Sequence, residues 1–182
     1  MSRLTVIAGP TAVGKGTVVR RILAMQPDIQ LSVSATTRPP RPKEKHGIDY
    51  FFLTDDEFDQ MIADGNMLEF AVVHSSHRYG TPRRPVEQAL ASGKHMILEI
   101  DLQGARQVRE SMPDALLVFI APPSWDELVR RLAARGTENQ EEQARRLATA
   151  KLELQAQGEF EAVIINEDVD KCAQQVVDLM QA

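Results

Sequence analysis

The sequence predicts an α/β protein of three layers, in which helices cover both faces of a central parallel five-stranded sheet. Five runs read as strands, at residues 4–8, 29–33, 96–100, 116–120 and 163–165. The last three are continuously apolar and do not alternate, as strands buried on both faces must be. Helical patterns follow the strands, and an alternating β-α order implies parallel pairing through right-handed crossovers. With 182 residues and 43% hydrophobic content the chain can bury the core of one domain, residues 1–182.

Taken in order, residues 4–8 form the first strand and a glycine-rich segment turns out of it. Val18, Val19, Ile22 and Leu23 then recur at helical spacing until Gln26-Pro27 stops them. Two segments interrupt the alternation that follows. The first, residues 36–91, opens with Arg38-Pro39-Pro40-Arg41-Pro42, which can be neither helix nor central strand. Beyond it, short strands surround one helix with a capping box of Thr54 and Glu57, an apolar stripe of Phe58, Met61 and Ile62, and Gly65 as its stop. The second, residues 125–158, reads as two helices meeting at Gly136, the later one starting with a capping box of Thr137 and Gln140. The core is then expected at 1–35, 92–124 and 159–182.

Charge and composition narrow the function. A net charge of −5 argues against a nucleic-acid or membrane-surface binder. The apolar run at 4–8 is too short for a signal-peptide core or a membrane span, and a cytoplasmic protein is expected. The lone Cys172 excludes an intramolecular disulfide and reads as a packing residue. His46, His74, His77 and His95 lack metal-like spacing. Of the 21 basic residues 15 are Arg, whose planar fork binds phosphate oxygens two at a time, so a small polyanion suits the bias.

Gly9-Pro10-Thr11-Ala12-Val13-Gly14-Lys15 matches G-x-x-x-x-G-K between a strand and a helix. In such a P-loop the backbone N–H groups and the helix N-terminus hold phosphate oxygens while the Lys reaches the outer phosphates. Ser or Thr usually follows; here Gly16 stands there and Thr17 comes one later, so the hydroxyl that ligates magnesium is missing from its standard place. A second strand ends in Glu99-Ile100-Asp101, in the manner of the acidic strand that handles a nucleotide's metal or its waters. Arg38 and Arg41 on the proline-rich loop, with Tyr79, are candidates for holding a monophosphate. Arg131 and Arg135 lie four apart, flanking the stripe Trp125, Leu128 and Leu132, and repel unless an anion joins them; Arg146 is a third cation on the next helix.

Ser32-Val33-Ser34-Ala35-Thr36-Thr37-Arg38, Pro40-Arg41-Pro42, Gly47-Ile48-Asp49-Tyr50 and Leu68-Glu69-Phe70 resemble the GMP-binding region of guanylate kinases. The likeness continues through Tyr79-Gly80-Thr81, Glu99-Ile100-Asp101-Leu102-Gln103-Gly104, Phe119-Ile120-Ala121-Pro122-Pro123 and Arg135-Gly136-Thr137-Glu138, and so covers nearly the whole chain. It implies Mg2+-dependent transfer from ATP to GMP, on a three-layer P-loop fold whose insertion 36–91 binds GMP and whose helical region 125–158 is a lid. Arg38, Arg41, Tyr50 and Tyr79 would bind the GMP phosphate. Glu69 would read guanine, because an ionised carboxylate accepts two parallel bonds from its ring N–H and amino group, and adenine presents no such pair. Ser34 and Thr81 would donate to the exocyclic oxygen; the family often has Ser where Thr81 stands. A dry site of this kind discriminates by factors of up to about ten thousand or more. Glu99 and Asp101 complete the implied GMP-binding set. Lys15, Arg131, Arg135 and Arg146 would carry the transferring phosphoryl's charge, Arg135 would also pack on adenine, and Asn166 would lie near that base.

Two other readings remain open. A guanylate-kinase-like scaffold would be expected to lose Lys15 or the lid arginines, which this chain keeps. Gly14-Lys15-Gly16-Thr17 also resembles the loop of adenylate kinases, against which Glu69, Ser34 and Thr81 weigh. No obligatory protein partner is evident.

Overall fold

A computed structural model describes residues 2–73, 77–134 and 139–182. Its centre is a parallel sheet in the order β2 (Gln30–Leu31), β7 (Met96–Glu99), β1 (Leu4–Ala8), β8 (Leu116–Ala121) and β9 (Ala162–Ile165). The fold class read from the sequence is thus the one observed. The expected second strand shrinks to two exposed residues, because β2 is an edge strand pairing with β7 only at Gln30 and Leu31.

The continuous apolar runs divide between two cores. Ile7, Ile97, Val118 and Ile120 pack with α1 (Lys15–Met25), α5 (Trp125–Ala134) and α7 (Val169–Gln181). Leu4, Val6, Leu98, Leu117 and Phe119 face the opposite way, against α3 (Arg83–Ala91) and α4 (Leu102–Ser111). Successive side chains on a strand point to opposite faces, so a strand covered on both sides must be apolar throughout. Cys172 is fully buried in the first core, where desolvation pushes its thiol up to about 11, and it serves as packing.

A second sheet, ordered β4 (Phe51–Phe52), β3 (Ala35–Thr36), β6 (His77–Pro82) and β5 (Met67–Val73), is mixed: β3 and β4 pair in parallel and the rest antiparallel. Its helix α2 (Asp55–Ala63) carries the expected capping box, with Thr54 accepting from the Glu57 N–H and Glu57 from the Thr54 N–H. Gly65, at φ 68°, ends it in a Schellman turn closed by Asn66 N–H to the Met61 carbonyl at 2.8 Å.

The start of the helix that follows residue 139 corrects the sequence reading. α6 (Gln140–Gln155) is capped by Asn139 and Glu142, not by Thr137 and Gln140. Asn caps as well as Thr or better, and Glu142 brings an anion to the positive helix end where the neutral Gln140 would not. Thr137 itself lies outside the described residues, as do Arg135 and Gly136.

Candidate active site

Strand β1 delivers the chain into a loop whose shape sterics fix. A Cβ on Gly9 would stand 2.3 Å from the Ile120 carbonyl oxygen on β8. Gly14, the N-cap of α1, has φ 98° and would bring a Cβ within 2.7 Å of the Asn166 amide nitrogen. Neither position admits a side chain. Ala12 between them is held at φ 64°, a conformation that costs an L residue on the order of 1–2 kcal/mol. The first turn of α1 holds no acidic residue, so nothing there opposes an anion at the positive helix end.

The loop encloses a cavity of about 310 Å³ lined by Thr11, Lys15, Gly16, Thr17, Arg20 and Glu99 among others. Three of the expected cations converge on the loop, Lys15 from within the cavity lining. The Lys15 ammonium donates to the Gly9 carbonyl. Arg131 donates to the carbonyls of Val13 and Asn166, each at 3.2 Å. Arg146, on α6, reaches the Thr11 hydroxyl at 3.4 Å. Glu127 orients Arg131 at 2.8 Å, and with Arg130 this pairing holds the Glu127 carboxyl below its usual range. Arg130 is exposed and, among the described residues, pairs only with Glu127. Arg135 lies outside the described residues.

Asn166, at the end of β9, reaches the loop from below. It is buried at 3% exposure and donates to the Val13 carbonyl at 2.9 Å, which makes it a peg under the loop. Glu99 likewise belongs to the loop cavity: a Cβ on Gly16 would stand 3.6 and 3.8 Å from its two carboxylate oxygens. Glu99 thus presents its carboxylate oxygens to the loop beside Gly16.

The other candidate residues gather around the second sheet. Glu69 is buried at 8% exposure on β5 and accepts a 2.7 Å hydrogen bond from the Thr81 hydroxyl on β6. Desolvation raises its carboxyl above the ordinary range; the Thr81 hydrogen bond opposes this, and the nearby Asp101 charge adds to it. Thr81's single hydroxyl proton is thus spent on Glu69, so here it orients the carboxylate. Asp101 caps α4 by accepting from the Gly104 N–H at 2.8 Å. Ser34 supplies a backbone carbonyl to Phe51 N–H at 2.8 Å, tying β3 to β4.

At the far end of the sheet Arg38 lies 5.4 Å from the Tyr50 ring centre, and the Tyr50 and Tyr79 rings meet edge to face at 6.0 Å. Glu44, unmarked by the sequence reading, takes Arg38 at 2.9 and 3.0 Å and the Arg41 backbone N–H at 2.7 Å. It holds the turn that presents both arginines. Its signal was available in the spacing, since an acid three residues past Arg41 is placed to close such a turn.

The two groups meet through β7, whose Glu99 faces the loop cavity while Asp101, just beyond its end, adds its charge to the surroundings of Glu69. Ligands of parallel α/β sheets bind outside the carboxyl ends of the strands, and both groups do so here. This arrangement defines a P-loop nucleotide kinase, with a donor cradle and a separate acceptor site. The family model described as guanylate kinase matches residues 1–182, and the chain belongs to that family of nucleoside monophosphate kinases.

Individual relatives agree. The chain is 60% identical over 177 residues to the guanylate kinase of Leifsonia xyli subsp. xyli, covering 97% of this chain and 70% of that one. It is 56% identical to that of Cutibacterium acnes, with 97% and 89% covered. The crystal structure of guanylate kinase from Anaplasma phagocytophilum superposes with a TM-score of 0.72 at 32% identity, over 99% of this chain and 84% of that one. No helix among the described residues is long and apolar enough to cross a membrane.

Proposed function

We propose that this chain catalyses the Mg2+-dependent, in-line transfer of the γ-phosphoryl group of ATP to GMP or dGMP, giving ADP and GDP or dGDP. The observation that carries the reading is the shared strand β7, which ties a phosphate cradle at Glu99 to a buried base-reading carboxylate beside Asp101. A phosphate oxygen of GMP attacks the γ-phosphorus as its bond to the β,γ-bridging oxygen breaks. That oxygen is already anionic, so no side chain need act as a strong base.

The loop residues Gly9 to Thr17 cradle the ATP phosphates through backbone N–H groups. Lys15, Arg131, Arg135 and Arg146 stabilise the charge of the transferring group, and Arg135 also packs on adenine. Arg38, Arg41, Tyr50 and Tyr79 hold the GMP phosphate; Glu69, backed by Thr81, Ser34 and Asp101, reads guanine. The insertion 36–91 and the lid 125–158 close over the substrates and exclude water.

The donor set fits a magnesium ion brought in on ATP. Mg2+ takes oxygen ligands and keeps several waters, and Glu99 beside Gly16 offers an oxygen where the usual loop hydroxyl is missing. Bound there, the ion would neutralise phosphate charge and orient the donor. The single buried thiol, Cys172, suits a cytoplasmic site of action.

An ADP-release assay offered GMP, AMP, CMP and UMP in turn tests the reading. GMP is expected to exceed the others by at least a hundredfold in kcat/KM, given a dry carboxylate matched to the guanine edge. Turnover of AMP as fast as GMP would refute it.

A further inference from the structure

Strand β5 is the open edge of the second sheet, yet the three residues around its buried carboxylate are each met by helix α4 of the first. Gln107 pairs with the open edge of the strand, its carboxamide oxygen accepting the Phe70 N–H and its NH2 donating to the Phe70 carbonyl, both at 3.0 Å. Ser111, one turn further on, donates to the Leu68 carbonyl at 2.7 Å. Gly104, one turn earlier, leaves the space in which Glu69 lies: a Cβ there would stand 3.2 Å from the Glu69 Oε2. Positions 104, 107 and 111 recur at helical spacing and form one face.

The same helix is fixed to the central sheet. It follows β7 directly, Asp101 caps it, and Ala105 and Val108 are buried in the second core. A carboxamide that supplies both a donor and an acceptor to one residue's backbone acts as one more link of a β-ladder, but its other end belongs to α4.

We propose that α4 is the positioning element for guanine recognition, and that Gln107, with Gly104, determines specificity by holding the 68–70 segment so that both Glu69 oxygens meet the guanine edge. The proposal rests on Glu69 being the base reader. It gives the base-reading strand a fixed register on the frame that carries the ATP loop, so base recognition and phosphoryl alignment share one reference.

The test compares GMP with IMP, whose hypoxanthine keeps the ring N–H and lacks the 2-amino group, and runs a double-mutant cycle. Gln107→Ala, at a half-buried site, is expected to raise KM for GMP about tenfold and to lower the GMP:IMP ratio of kcat/KM several-fold, as loss of hydrogen bonds that fix a binding geometry should. The KM for ATP should stay within twofold. Gly104→Ala, whose Cβ would meet Ile100 at 3.2 and 3.3 Å as well as Glu69, is expected to lower the same ratio with little change in melting temperature, the helix gain from Ala offsetting that crowding. In the Glu69→Gln background Gln107→Ala should cost less than twofold further, since the latch acts through Glu69.

An unchanged GMP:IMP ratio in both α4 variants, with Glu69→Gln collapsing that ratio, overturns the latch and leaves base reading intact. Fully additive losses in the cycle also overturn it. If Glu69→Gln itself leaves the ratio unchanged, the base-reading role fails and the latch with it.

Discussion

The donor cradle and the acceptor site are built by opposite means. The proposed cradle is one stretch of nine residues in which backbone would do the binding and sterics choose the sequence: Gly9 is forced by the Ile120 carbonyl and Gly14 by its left-handed backbone. The acceptor site has no such stretch. Its groups come from separate strands and loops, and partner side chains set them: Thr81 for Glu69, Glu44 for Arg38, Gln107 for the edge strand that carries Glu69. A backbone cradle serves any nucleoside triphosphate, whereas discrimination among bases needs polar side chains whose orientation is fixed before the ligand arrives. Generality therefore resides in a short motif, and specificity in distributed pairs.

If that division holds, damage to the cradle should cost rate and damage to the acceptor site should cost selectivity. The largest effect is expected from Lys15→Met. It removes the one loop side chain that can follow the transferring charge and should lower kcat by roughly a hundred- to a thousandfold or more. The dissociation constant for GMP, measured by calorimetry without ATP, should change less than twofold. Equal losses in kcat and in GMP binding would merge the two regions into one unit and break the comparison.

A smaller effect, confined to the acceptor side, follows from the raised carboxyl of Glu69. Only its ionised form accepts both guanine N–H groups, and those donors stabilise that form, so GMP binding lowers the carboxyl's pKa and releases a proton. Affinity is then retained above the free-enzyme value and lost as pH falls through it, by up to about tenfold per pH unit. The GMP phosphate titrates as well, but it does so equally in Glu69→Gln. The KM for GMP in the native chain should therefore rise more steeply on acidification than in that variant, while KM for ATP follows one curve in both. Parallel GMP curves would show that Glu69 carries no base-linked proton.

The same division explains what the sequence disclosed. Residues 9–17 were legible because their geometry is local, and the parallel sheet because strands buried on both faces cannot hide their apolar runs. Pairings across space were not. Gln107 and Ser111 look like ordinary polar residues on a surface helix; only the fold brings β5 against them. Thr81 reads as a donor to the base, yet its proton goes to a carboxylate twelve positions away. The start of α6 was missed by two residues because Thr137 and Asn139 are both good caps, and the choice went to the one with an acid, Glu142, three residues on. β2 is shorter than the run at 29–33 because, as an edge strand, it finds a partner on β7 only at Gln30 and Leu31.

Even the cradle has one support that its own sequence does not contain. The Asn166 amide, 153 positions along the chain from Val13, donates to that residue's carbonyl from below the loop. Arg131 shares the same carbonyl, so deleting the amide leaves it one partner. Asn166→Ala should then cost about 1 kcal/mol of stability, a fall of roughly 2–4 °C in melting temperature. A loosened loop should also raise KM for ATP a few-fold with KM for GMP unchanged, the mirror image of the Gln107→Ala result. An amide that served only to pair with adenine would give the ATP effect alone, without the thermal shift. Melting temperature measured alongside the two KM values therefore separates a peg from a base contact, and shows whether the backbone cradle stands on its local geometry or on a side chain brought from the far end of the sheet.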